Sequence, residues 1–89
     1  MKQVSQTKQF SRDIKRMQKR GKNLEKLKAV VVRLAKPEKL DPKYRDHPLA
    51  GVWSGSRDCH IEPDWLLIYT EDESTLRLER TGSHSDLFR

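Results

Sequence analysis

Histidines stand at positions 47, 60 and 84, and the middle one lies in the run RDCHIEPDW with carboxylates at Asp58 and Asp64. Histidine exchanges a proton near neutral pH, so three of them invite a chemical reading. With a carboxylate they have the donor types that hold zinc, yet no close ligand spacing such as HExxH or CxxC is present. They also suit acid–base cleavage of a phosphodiester. RNA carries its own nucleophile, the 2′-OH. A protein must then supply a base for that proton, an acid for the leaving 5′-oxygen, and a cation for charge on the phosphorane. Asp64 would serve as base or orient a histidine, Arg80 would supply the cation, and Trp65 and Phe88 would stack bases.

Each of these residues also has a plainer role. A lone strand histidine is usually a satisfied polar group, Asp64 is a turn former, and Trp53 and Trp65 suit a core. Arg80 shares strand alternation with Leu76 and Leu78, so Glu62 or Glu79 could be its partner. On spacing alone, a nucleic-acid-binding or protein-binding module fits as well as an enzyme.

Specific elements must bring these positions together. Residues 2–6 are expected as a short first strand. Thr7 or Ser11 caps a helix to about Arg20, with Phe10, Ile14 and Met17 on its apolar face, and Gly21 ends it. Asn23 caps a second helix carrying Leu24, Leu27, Val30, Val31 and Leu34, which Pro37 ends. The two are expected to form an antiparallel helical hairpin. Residues 37–51 are expected as a loop pinned by Leu40 and Tyr44. From Trp53 the period becomes two. Trp53, Gly55, Arg57, Cys59 and Ile61 face one way, while Ser54, Ser56, Asp58 and His60 face the other. Glu62-Pro63-Asp64 turns the chain. The continuous apolar run Leu66–Tyr69 predicts a strand covered on both faces. A third strand spans Thr75 to Thr81, and Ser83 caps a last helical turn through Phe88. The sum is a single α+β domain over residues 1–89, with two N-terminal helices on one face of a twisted antiparallel sheet. Asp58 and His60 belong to its open face.

The chain has 89 residues, 34% hydrophobic and 36% charged, so a modest core lies under a highly charged surface. The net charge of +6 is uneven: residues 1–45 balance at +11 and residues 46–89 at −5. The first half therefore suits a polyanion, most simply nucleic acid, although a solvated helix face would look similar. One cysteine, Cys59, excludes an internal disulfide. The N-terminus lacks the apolar run of a signal peptide, and nothing approaches the ~20 apolar residues of a membrane span. A cytoplasmic protein without membrane contact is the expectation.

The stretches DHPLAGVWSGSRDCHIEPDWLLIY and LRLERTGSHSDLF closely resemble the YafQ-like branch of the RelE/ParE superfamily of bacterial type II toxins. The similarity runs from the Phe10 helix to Phe88. It is most specific in DHPL, RDCHIEPDW and RTGSH at their mutual spacing. The resemblance implies a RelE-like fold and a metal-independent endoribonuclease needing no cofactor. Such a toxin enters the ribosomal A site against ribosomal RNA and cuts mRNA there, leaving a 2′,3′-cyclic phosphate and a 5′-hydroxyl. It implies a cognate antitoxin, usually of ribbon-helix-helix type, through which alone the toxin meets operator DNA. By position the resemblance puts catalytic roles on His47, His60, Asp64 and His84. It puts substrate contacts on Asp58, Trp65, Arg80 and Phe88. Ribosome binding would fall to the basic helix residues Lys8, Arg12, Lys15, Arg16, Lys19 and Arg20. Ser56 and Arg89 depart from the pattern, which bears on codon preference more than on activity. The other class in view is a superfamily member that inhibits a protein such as gyrase, or a non-catalytic nucleic-acid-binding module. Neither needs three histidines.

Overall fold

The computed structural model describes residues 1–36 and 39–88. The Pro37 helix stop and the Arg89 departure lie outside the described residues. Strand β1 (Gln3–Gln6) leads into helices α1 (Lys8–Lys19) and α2 (Leu24–Ala35). Strands β2 (His47–Pro48), β3 (Arg57–Glu62), β4 (Trp65–Glu71) and β5 (Thr75–Gly82) follow, then the short helix α3 (His84–Leu87).

The helix limits follow from local chemistry. The Thr7 hydroxyl oxygen accepts from the Phe10 amide at 2.9 Å, and Asn23 accepts from the Glu25 amide at 3.0 Å. Each satisfies an amide that the first helical turn leaves without a partner. At the far end of α1 the Lys22 amide donates to the Met17 carbonyl and the Gly21 amide to that of Gln18, while Gly21 takes φ 79°. That pair of bonds is the Schellman ending, for which glycine is favoured.

The sheet order is β1-β5-β4-β3-β2; β1 runs parallel to β5 and the other pairs are antiparallel. Its centre is β4, which is why its apolar run is continuous. Trp65, Leu67 and Tyr69 face the helices with Phe10, Met17, Leu27, Val30 and Leu34. Leu66 and Ile68 face the other way, where Leu87, Leu49 and Trp53 cover them. Helix α1 lies chiefly against β5, and α2 touches β3 and β5.

Three expectations change. Trp53 lies not in a strand but in a 3-10 turn, Gly51–Trp53, and it packs on the face opposite the helices. The loop before it contains β2, where His47 pairs with Asp58. Strand alternation also breaks twice. Between Ile68 and Tyr69 the register shifts so that Arg80 opposes Ile68 while Leu78 opposes Tyr69. The extra residue, Glu79, takes Arg80 out of step with Leu76 and Leu78. A second shift lies between His60 and Glu62.

Candidate active site

The site forms on the sheet face away from α1 and α2, at the end where β3 turns into β4. His47 comes from β2, His60 from β3, Asp64 from the turn, and His84 from the first residue of α3. The rings form a row: His47 to His60 is 6.5 Å between centroids, His60 to His84 is 5.5 Å, and His84 to Phe88 is 6.5 Å. The structure thus brings together three histidines spread over 38 residues of sequence. Phe88, 41% exposed, closes the row as an accessible ring.

Asp64 fixes His84. One carboxylate oxygen accepts from the His84 amide at 2.9 Å and stands 2.6 Å from its Nδ1. Hydrogen bonds from that amide and then from the ring hold the Asp64 carboxyl below the ordinary carboxylate range. An ionised carboxylate only accepts, so Nδ1 carries a proton and Nε2 is left to exchange one with a substrate.

His47 is fixed differently. Its Nδ1 lies 2.8 Å from the Arg45 carbonyl oxygen, which can only accept, so this nitrogen also carries a proton. Its Nε2 lies 3.0 Å from Asp58 Oδ1, but the groups are not aligned for a hydrogen bond, and that buried oxygen lacks a directed donor. Burial pushes the Asp58 carboxyl above its ordinary value, against the opposing pull of His47, His60 and His84. His47 and Asp58 are therefore close neighbours of opposite chemical type. Burial pushes the His60 imidazole below its ordinary value, which Asp58 partly opposes, and its Nδ1 is buried without a partner. Burial thus favours the neutral form of the His60 ring, which can accept a proton.

Two expected substrate contacts are held by partners within the protein. Trp65 is 0% exposed and packs among the helix-side core; its Nε1–H donates to Thr81 Oγ1 at 2.9 Å. It has no free face for a base and serves the core instead. Arg80 is half-buried and clasps the fully buried Asp13, with Nε 2.8 Å from Oδ2 and Nη2 3.2 Å from Oδ1. Its partner is neither Glu62 nor Glu79 but Asp13, which Arg16 also reaches.

The basic helix also divides. Arg16 reaches Asp13 at 3.0 Å, and Arg20 makes two bonds to Asp86, at 2.6 and 3.0 Å. Arg20, and Arg16 at 3.8 Å from the same Asp86 carboxylate, tie α1 to the turn that carries His84. No ion pair among the described residues joins Lys8, Arg12, Lys15 or Lys19, all exposed. Glu62 bridges Lys22 at 2.8 Å and Lys26 at 2.9 Å, which holds the β3–β4 turn to the start of α2. Buried Ser56 shares a 3.0 Å hydroxyl contact with Thr70. Cys59 is buried, and burial pushes its thiol above the ordinary value, as for an inert core residue. Asp13 and Arg45 were missed as functional neighbours. A lone acid amid basic helix residues was the available signal for Asp13.

Residues 2–89 match the model of a family described as the bacterial toxin of a type II toxin–antitoxin system, YafQ. The chain belongs to the YafQ toxin family. It is 49% identical over 81 residues to the mRNA interferase toxin YafQ of Escherichia coli K12, covering 90% of this chain and 88% of that one. The crystal structure of YafQ from E. coli BL21(DE3) superposes with a TM-score of 0.94 at 43% identity, over 100% of both chains. YafQ in the E. coli DinJ–YafQ complex gives 0.92 at 44% identity, again over 100% of both. A metal-bound toxin from Helicobacter pylori gives 0.91 at 46% identity, over 99% of this chain and 100% of that one. The three-helix, five-stranded α+β fold is therefore that of YafQ. No helix among the described residues is long and apolar enough to cross a membrane.

Proposed function

We propose that this YafQ-family toxin is a ribosome-dependent endoribonuclease that cuts mRNA in the A site by metal-independent acid–base chemistry. The observation that carries the reading is the row of His47, His60 and His84, with Asp64 fixing the proton on His84 Nδ1. The relatives named mRNA interferase support the same activity. In the reaction, His60 takes the proton of the 2′-OH, whose oxygen attacks the neighbouring phosphorus. The phosphorus–5′-oxygen bond breaks, and His84 Nε2–H protonates the leaving oxygen. The products are a 2′,3′-cyclic phosphate and a 5′-hydroxyl. Asp64 acts through His84 as its positioning group, because its depressed affinity for protons makes it a weak base. His47, beside Asp58, lies at the other end of the row to hold the phosphate.

Other parts of the reading follow the same relatives. An antitoxin partner is supported by the DinJ–YafQ toxin–antitoxin complex; it would be of ribbon-helix-helix type and would carry operator binding for the pair. The exposed lysines and Arg12 of α1 would meet ribosomal RNA.

Mapping of RNA ends on a translated mRNA tests the proposal. Cuts within A-site codons, with 5′-hydroxyl ends and no cutting of the same RNA untranslated, are expected. Intact mRNA overturns it. The Helicobacter relative holds metal, so toxin stripped with EDTA and then desalted is compared with untreated toxin in the same translation assay; equal rates are expected, and a loss of cutting that added transition metal restores removes the metal-independent mechanism.

A further inference from the structure

We propose that the cleft between the Pro42–Tyr44 turn and the β3–β4 turn binds the RNA phosphodiester next to the scissile one, with Arg45 as its cationic contact. The inference rests on the ribonuclease reading and adds a subsite to it.

The cleft measures about 510 Å³ and is lined by Lys26, Lys43, Tyr44, Arg45, His60 and Glu62, among others. That is within the range of roughly 300–1,000 Å³ usual for small-ligand sites. His60 belongs both to this cleft and to the histidine row, so a strand whose scissile phosphate lies on the row runs directly into the cleft.

The charge of the rim suits that strand. Glu62 is its acidic wall residue, and two ammonium groups, Lys22 and Lys26, already hold it. Lys43 lies 5.1 Å over the Tyr44 ring. Neither Lys43 nor Arg45 has an ion-pair partner among the described residues, and both are exposed. The rim is net positive, with two cations free to meet phosphate. Arg80, the cation expected at the phosphate, is engaged by Asp13 instead.

Arg45 also has an unusual backbone. Its φ of 51° and ψ of 43° make it the one non-glycine residue with positive φ among the described residues. Non-glycine residues adopt this conformation at a cost and concentrate at functional sites when they do. Here the conformation accompanies an Arg45 carbonyl oxygen 2.8 Å from His47 Nδ1, while the side chain lines the cleft. A single residue thus orients a histidine of the row through its backbone and meets the flanking phosphate through its side chain.

The two roles separate by substitution. Arg45→Gly retains easy access to the left-handed conformation while removing the whole side chain, guanidinium included. The probe is an RNA hexamer with every ribose 2′-O-methylated, which binds but cannot be cut. Its affinity is measured by fluorescence anisotropy across a salt series. Arg45→Gly is expected to bind roughly tenfold more weakly, with a salt slope shallower by about 0.7, the value for one single-strand phosphate contact. Arg45→Lys is expected to restore most of both, and the His47 ring resonances are expected to stay in place in Arg45→Gly. Equal affinity and slope in wild type and Arg45→Gly, or no binding of the hexamer by the wild type at low salt, overturns the subsite. Translated-mRNA cleavage by the wild type is scored in parallel: its absence strikes the ribonuclease reading, whereas cleavage with an unaffected Arg45→Gly strikes the subsite alone.

Discussion

Arg20, at the end of α1, grips Asp86 of α3 with two hydrogen bonds, Nη1 to Oδ2 at 2.6 Å and Nη2 to Oδ1 at 3.0 Å. The same carboxylate accepts from the Ser83 amide at 2.9 Å, closing a capping box around the turn that begins with His84. Gly82 makes room for it, since a Cβ there would stand 2.9 Å from Asp86. A four-residue helix has little stability of its own, so this clasp is what holds His84 in place.

The clasp depends on pH in a definite direction. Hydrogen bonds from Arg20, then Ser83, hold the Asp86 carboxyl well below the ordinary carboxylate range. A depressed folded-state value stabilises the protein above the unfolded value near 4, and the contribution fades as pH falls toward the folded value. Arg20→Gln is therefore expected to melt below wild type at pH 7, with the gap closing as pH drops from about 4 to 2. A constant gap in melts across that series contradicts the assignment. Ser83→Ala, which removes only the cap, is expected to cost about 1 kcal/mol, or about 5 °C in Tm.

Asp64 and His84 act as one unit if Asp64 works through the ring. His84→Ala is expected to slow cleavage by roughly 100-fold or more, the scale of a lost general acid. Asp64→Asn keeps an acceptor for Nδ1–H and is expected to cost less. Single-turnover rates then decide: the double variant should be no slower than His84→Ala alone. Multiplying losses would make Asp64 an independent participant.

His60 must be neutral to take the 2′-OH proton, and burial holds its value below the ordinary histidine range. Activity should therefore persist as pH falls, with the acidic limb of kcat/KM below the ordinary value of about 6.5. Asp58 raises the His60 value, so Asp58→Asn should move that limb further acid. A limb that stays in place under this substitution assigns it to another group.

Trp65 separates the core from the site. At 0% exposure, Trp65→Ala is expected to cost about 3–5 kcal/mol. Trp65→Phe keeps most of the bulk and loses the Nε1 bond to Thr81, a change of about 1 kcal/mol. The Phe variant should cut mRNA at near wild-type rate once corrected for folded fraction. A large loss of kcat in a fully folded Phe variant would return Trp65 to the site.

Much of this arrangement was legible because periodicity reports burial. Phe10 and Met17 on α1, and Leu27, Val30 and Leu34 on α2, recur at helical spacing and are buried. Alternation put Cys59 and Ile61 under the helices and His60 on the far face, as observed. It failed where the chain slips by one residue. The extra residue at Glu79 redirects Arg80, and no composition signal marks such a shift. Trp65 could have been placed by parity, since Leu67 and Tyr69 share its face. Arg16 and Arg20 resembled their free neighbours because their partners, Asp13 and Asp86, are only brought near by folding for Asp86 and only buried by it for Asp13.

The basic face of α1 therefore predicts two classes of variant. Lys8, Arg12, Lys15 and Lys19 are exposed and unpaired with acids among the described residues, so their reversal to Glu should leave Tm within a few degrees. The same reversal should weaken ribosome association and flatten its salt dependence, because each lost phosphate contact removes released counterions. Arg16→Gln and Arg20→Gln should instead lower Tm and slow cleavage while largely sparing the salt slope. Sedimentation with ribosomes at graded salt, paired with thermal melts, measures both. Unchanged association by the lysine-reversed variant at low salt would remove α1 from the ribosome contact.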